Sequence, residues 1–362
     1  MSGARAEDRL EAPPIEGVTV FLALRELRSA RGRFTLMAAV IALLSLLVVI
    51  LSGLTAGLAA QSVGALDRLP SYRVALSAAP GQDGFATSTV TTRDVDDLAR
   101  TPGVLEADAW GVTTDRIDED AVAVLGAEPG SALAPHTLAP ETLVADRSLG
   151  LEVGESVPIG GSTLRVAATV DGDLLNHLPA VWVPLDVWQS LPGSGGKDAT
   201  AVALATDDTF DPAEAPDGLE ILTRTDARAA VGSYAAENGS LTLIRGLLLA
   251  VSALVVGAFF TVWTIQRTAD LAVLKAIGAR TTYLLRDALA QAAIVLVVGA
   301  GTGALVGAAA GLAVSSKVPF VVDASTTLGP LLLLVVLGLA GAAAALRRVV
   351  NVDPLTALGG SR

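Results

Sequence analysis

The chain has 362 residues, 52% of them hydrophobic, a mean hydropathy of +0.57 and a formal net charge of −12. A soluble globular protein does not combine these values, whereas a chain that gathers its apolar residues in membrane spans and its acidic residues in a separate domain does. With no cysteine, any domain outside the membrane folds on its core without disulfides, and the acidic excess disfavours nucleic acid as a partner.

Residues 1–33 read as a cytoplasmic segment, closing on Arg25, Arg28, Arg31 and Arg33. A helix needs roughly 20 apolar residues to cross a bilayer, and four runs qualify: 34–60, 239–265, 288–314 and 328–346. The first is about twice as long as a signal-peptide core and reads as a retained span. Orientation follows from Lys and Arg near the span ends. Residues 266–287 hold Arg267, Lys275, Arg280 and Arg286, and Arg347 and Arg348 follow the fourth span, while Lys317 stands alone between the third and fourth. Both termini, the loop 266–287 and the tail 347–362 are therefore assigned to the cytoplasm, with 61–238 and the loop 315–327 outside. The predicted fold is a membrane protein with four transmembrane α-helices and one large α+β extracytoplasmic domain between spans 1 and 2.

That domain, 178 residues with 28 acidic and 10 basic side chains, is long enough to bury its own core. "TTRDVDDLARTPG" predicts a helix capped by Thr91 or Thr92, with aspartates in its first turn and Pro102-Gly103 as its stop. "VLEADAWGVTT" and "AVAVLGA" read as strands, and "LVADRSLGLEVGESVPIGGSTLRVAATV" alternates around turns at Gly154-Glu155 and Gly160-Gly161. "GDLLNHLPAVWVPLDVWQSL" adds a strand and a short helix, and "LPGSGGKDAT" reads as a surface loop.

No catalytic constellation emerges. His136 and His177, the only two histidines, read as solvated loop residues rather than a metal pair, and "DRIDED" reads as a solvated turn without a calcium-loop pattern. No phosphate-binding loop motif occurs, so the chain is not an enzyme and any ATP is hydrolysed by another subunit.

Between the second and third spans, Arg267 to Ile277 predicts a short amphipathic helix. Leu271, Leu274 and Ile277 line one side, Arg267 and Asp270 mark another, and Gly278 ends it. Such a helix at the cytoplasmic surface suits docking to a soluble partner. Span three carries Gly299, Gly303, Gly307 and Gly311, whose small-residue steps permit close helix packing, within the chain or across a dimer.

"RTADLAVLKAIGARTTYLLRDAL" resembles the coupling-helix signature of the MacB/FtsX/LolC-type ABC transporter permeases. "NVDPLTALGG" resembles their C-terminal ending and "LGLEVGESVPIGG" a piece of their external domain. The resemblance covers nearly the whole chain beyond residue 18. It implies a homodimer with two copies of a cytoplasmic ABC ATPase in the plasma membrane. ATP-driven tilting of the first two helices would move the external domains, a lever for which a first span of 27 residues is long enough. Arg267, Asp270, Leu271, Leu274, Ile277 and Gly278 would then couple to the ATPase. No cofactor of its own is implied.

Within that family, residues 21–59 and "SYAAENGSLTLIRGLL" look most like the haem-exporting HrtB-type permeases, which implies haem as substrate. A MacB-like exporter of peptides, antibiotics or lipids, or an FtsX-like regulator of a cell-wall enzyme, are the alternatives. Tyr234, Asn238, Leu241 and Arg245 fall on one helical face with Glu237 on the adjoining side. A tyrosinate or carboxylate can ligate ferric haem iron, and a guanidinium can pair with a propionate. Equally, Arg245 can snorkel to lipid headgroups and Tyr234 can be an interfacial anchor.

Overall fold

The computed structural model describes residues 31–69, 73–77, 84–266, 273 and 281–350. Along the chain, helix α1 (Arg31–Arg68) is followed by strand β1 (Arg73–Ser77) and helices α2 (Gly84–Thr87) and α3 (Thr92–Ala99). Strands β2 (Val104–Ile117), β3 (Asp120–Ala127), β4 (Thr142–Asp146), β5 (Ser156–Ile159), β6 (Ser162–Val170), β7 (Leu174–Leu175) and β8 (Leu178–Pro184) come next. Helix α4 (Leu185–Ser190), strands β9 (Ala201–Thr206) and β10 (Leu219–Leu222) and helix α5 (Arg224–Ala227) lead to the long helices α6 (Gly232–Gln266), α7 (Thr281–Val314) and α8 (Ala324–Val350). Four of these are long and apolar enough to cross a membrane: Phe34–Arg68, Gly232–Gln266, Leu285–Val314 and Ala324–Leu346. Helix α1 continues past residue 60 to Arg68, and α6 starts at Gly232, ahead of residue 239.

Two compact units divide the chain. One holds residues up to 53, 244–317 and 321 onward; the other holds 54–243 with 318–320. In the first, α1, α6, α7 and α8 share a core built on Phe34, Ile41, Val256, Phe260, Leu296 and Leu334. The Trp263 ring stands edge-on to both Phe34 and Phe260, with centroids 6.0 Å away in each case. The glycines of α7 take α1 as their partner. A Cβ on Gly299 would meet the Ala38 carbonyl at 2.9 Å, one on Gly303 would run into the Ala42 carbonyl, and one on Gly307 would reach Val49 at 3.3 Å. Ser45 uses that proximity to donate to the Ala300 carbonyl at 2.7 Å. The glycine ladder thus brings two helices of the same chain together.

The second unit is built on a mixed sheet in the order β10-β1-β9-β2-β3-β8-β4-β6-β5, with β7 pairing β8. The β3–β8 and β4–β6 pairs are parallel and the others antiparallel. The predicted helix forms as α3, with Thr91 and Asp94 closing a reciprocal capping box. β2 and β3 form where alternation placed them, and Asp118 turns between them with a left-handed φ of 52°.

Both faces of the central strands are covered, so β3 and β8 are apolar at nearly every position. Val122, Val124, Val181 and Val183 pack on one face beneath Trp188. Ala123, Leu125, Ala180 and Trp182 pack on the other with Trp110 and the end of α1. Trp110 and Trp182 stack with centroids 6.3 Å apart. Gly111 leaves the space that the Trp188 ring occupies. "LPGSGGKDAT" is a loop with Pro192, Gly193, Gly195, Gly196 and Asp198 exposed, as its composition suggested, but it is tied down at several points. Leu191 and Ser194 are buried, and Lys197 Nζ donates to the carbonyls of Ser88 at 2.8 Å and Ala86 at 3.3 Å. Those contacts anchor the segment to the α2 loop.

Candidate functional site

The candidate site lies in the second unit, where the last turns of α1 run beside the first turns of α6. Helix α1 is kinked at Val63, whose φ of −134° and ψ of 19° are not helical, although no proline announces it. A kink leaves carbonyls of the preceding turn without their regular partners. The tip of the β7–β8 hairpin fills that gap: Asn176 N donates to the Ser62 carbonyl at 2.8 Å and His177 N to the Gln61 carbonyl at 3.0 Å. Gly64 lies so close to the hairpin that a Cβ would stand 2.8 Å from the Gly172 carbonyl.

The hairpin is held at its base as well. Asp173 is fully buried. It accepts from Trp182 Nε1 at 2.6 Å and lies 3.7 Å from Arg68 Nε at the end of α1. Its backbone amide donates to Asp146 Oδ2 at 2.7 Å. Burial pushes the Asp173 carboxyl above its ordinary value, with the Trp182 hydrogen bond and the Arg68 charge acting against that shift.

Tyr234, Glu237 and Asn238 share one cleft, with Leu241 beside them and Thr55, Leu58, Ala59 and Ser62 of α1 opposite. The cleft is closed and holds no water-sized void. Arg245 lies farther along α6, half-buried, and is not part of this lining. Arg228 reaches Tyr234 and also bonds Asp67 at 2.7 Å.

The sequence places His177 in a solvated loop, and the structure corrects this. Its ring is two-thirds covered, with Nε2 3.0 Å from Glu237 Oε1 and 3.1 Å from Ser62 Oγ. The other oxygen, Glu237 Oε2, is buried and has no hydrogen-bond partner among the described residues. The sequence held one signal for this contact: "LNHL" is a two-residue hairpin turn with His where glycine is favoured. Arg267, Asp270, Leu271, Leu274, Ile277 and Gly278, expected from the sequence to couple to an ATPase, lie outside the described residues.

Residues 242–354 match the family described as FtsX-like permease C-terminal. An uncharacterized ABC transporter permease of Mycobacterium bovis is 26% identical over 355 residues, covering 94% of this chain and 99% of its own length. A Staphylococcus haemolyticus protein named as the hemin transport system permease HrtB is 24% identical over 355 residues, with the same coverage of 94% and 99%. Among solved structures, the periplasmic region of MacB from Actinobacillus actinomycetemcomitans aligns with a TM-score of 0.33 at 10% identity, over 44% of this chain and 91% of that one. Residues 242–354 thus resemble an FtsX-like permease C-terminal domain, and over nearly its whole length the chain is similar to proteins named as ABC transporter permeases.

Proposed function

We propose that this chain is the permease subunit of an efflux pump that exports haem from the membrane, working as a homodimer with two copies of a separate cytoplasmic ATPase. Haem enters sideways from the outer leaflet, between the first two spans of the dimer, and is expelled when these close. Both termini face the cytoplasm, and residues 266–287 carry the ATPase contact. The observation behind the haem assignment is the cleft itself. It gathers a phenol, a carboxylate and an amide from α6 against Leu58, Ala59 and the hydroxyl-bearing Thr55 and Ser62 of α1. One carboxylate oxygen there is buried without a hydrogen-bond partner, a costly arrangement that a bound cationic centre relieves. Ferric haem presents such a centre to oxygen ligands within an apolar ring. Relatives bearing the HrtB name, at 24% and 22% identity, support the same reading.

The test is a ferric-haem titration of the detergent-solubilised chain, in wild type and in Tyr234→Phe, Glu237→Ala and Arg245→Ala. Saturable binding that weakens in the first two is expected, and weakening in the third if Arg245 meets a propionate. Wild-type affinity in all three would remove this site. Absence of binding by the wild type would return the chain to an exporter of peptides, antibiotics or lipids.

A further inference from the structure

The β7–β8 turn contains an uneconomical residue. Leu175 pairs with Leu178, leaving Asn176 and His177 as a two-residue loop with φ of 52° and 64°. Two positive φ values define the turn that follows the right-handed twist of a hairpin, and its second position ordinarily holds glycine. A side chain there is disfavoured, because its Cβ crowds the following carbonyl. Asparagine tolerates the conformation by local hydrogen bonding. Histidine at a strained position calls for a contact that a glycine could not make.

The backbone amides of Asn176 and His177 already fix the tip to the Ser62 and Gln61 carbonyls, so the turn docks on α1 without any side chain. The imidazole adds the bridge from this docked tip to Glu237 on α6, with Ser62 Oγ beside the same ring nitrogen. A ring nitrogen facing a carboxylate carries the hydrogen, so Nε2–H donates to Oε1. One carboxylate oxygen is thereby held, and the other is the buried oxygen without a partner.

We infer that His177 is a positioning residue for the cleft: it holds Glu237 by Oε1 so that Oε2 is the atom offered to the substrate. The inference rests on the haem reading of that cleft. It also makes the ligand oxygen depend on three elements at once, namely the kink of α1, the hairpin tip and the first turns of α6.

Ferric haem titrated into the detergent-solubilised full chain, with thermal melting recorded in parallel, tests it. His177→Gly relieves the turn and keeps both backbone bonds, so the variant should melt no lower than wild type. It should bind ferric haem about tenfold more weakly, with an altered Soret band, for the loss of one charge-assisted hydrogen bond. His177→Gln keeps an N–H donor and should restore affinity to within about threefold. Wild-type affinity and spectrum in His177→Gly would overturn the positioning role while leaving the haem site standing. A loss of affinity that appears only together with a lowered melting temperature would overturn it equally. Failure of the wild type to bind haem would overturn both.

Discussion

Asp67 Oδ1, near the end of α1, receives two nitrogens of Arg228, Nε at 2.7 Å and a terminal guanidinium nitrogen also at 2.7 Å. Burial opposes the charge on Arg228, but Asp67 and Tyr234 outweigh it and hold the guanidinium above its ordinary value. Arg224 adds a hydrogen bond to the Leu69 carbonyl at 2.8 Å. Two arginines just ahead of α6 thus hold the last turn of α1, where orphan carbonyls and the helix dipole favour cations. Asp67→Ala should destabilise the protein by about 1 kcal/mol, the modest value reflecting a pair that is one-third exposed. Arg228→Lys should not substitute for arginine, because lysine has no second nitrogen for the same oxygen. Thermal melting in detergent reads both, and unchanged melting in both variants would contradict the assignment.

The packing of α7 on α1 predicts a contrast between two neighbouring glycines. Gly303→Val forces a side chain into the Ala42 carbonyl and Ser45 and should lower the melting temperature markedly, by the 1–3 kcal/mol typical of overpacking (about). Gly301 has nothing within 4 Å of where its Cβ would stand. Gly301→Ala should therefore be neutral or stabilise by up to about 1 kcal/mol through helix propensity. Equal effects of the two substitutions would count against this helix contact.

The spans were legible because each is a long apolar run, and α3 because its cap residues sit in sequence beside its first turn. The partner of the glycine ladder was not legible, since small residues permit close approach without saying which helix approaches. Strand β9, "AVALAT", is central in the sheet yet rich in alanine, and its place depends on burial between β1 and β2 rather than on local propensity. The α1 kink at Val63 has no proline to mark it. The cleft was half legible: helical spacing placed Tyr234 and Asn238 on one face, with Glu237 adjoining. The His177 contacts reach across 115 residues to Ser62 and 60 to Glu237, distances that only the folded sheet closes.

Asp173 gives the pH dependence a defined sign. Its folded pKa is raised above the ordinary 3.8, so the folded state binds this proton more tightly than the unfolded chain. The destabilising contribution is full above the folded pKa and fades as pH falls through it toward 3.8. Asp173→Asn removes that contribution while keeping an acceptor for Trp182. The melting temperature of the wild type relative to this variant should therefore rise as pH is lowered from about 7 to about 4. A difference that stays constant, or moves the other way, would contradict the burial of an ionised Asp173.

Residues 266–287 are expected to carry the ATPase contact through the apolar stripe of Leu271, Leu274 and Ile277. Leu274→Asp should reduce permease-stimulated ATPase activity by about tenfold or more, because interface energy concentrates in a few apolar anchors. Melting of the permease itself should not change. Co-purification and stimulation at wild-type levels would reject the docking assignment.

The central claim is that this permease moves haem through the α1–α6 cleft, and reconstituted transport tests it most directly. The permease and its co-purifying ATPase are placed in liposomes carrying ferric haem in the bilayer, and transfer of haem to an acceptor protein outside is followed after ATP is added. The account predicts ATP-dependent transfer by the wild type, falling about tenfold or more in Glu237→Ala while ATP hydrolysis persists. ATP hydrolysis without haem transfer in the wild type, or equal transfer by Glu237→Ala, would contradict it.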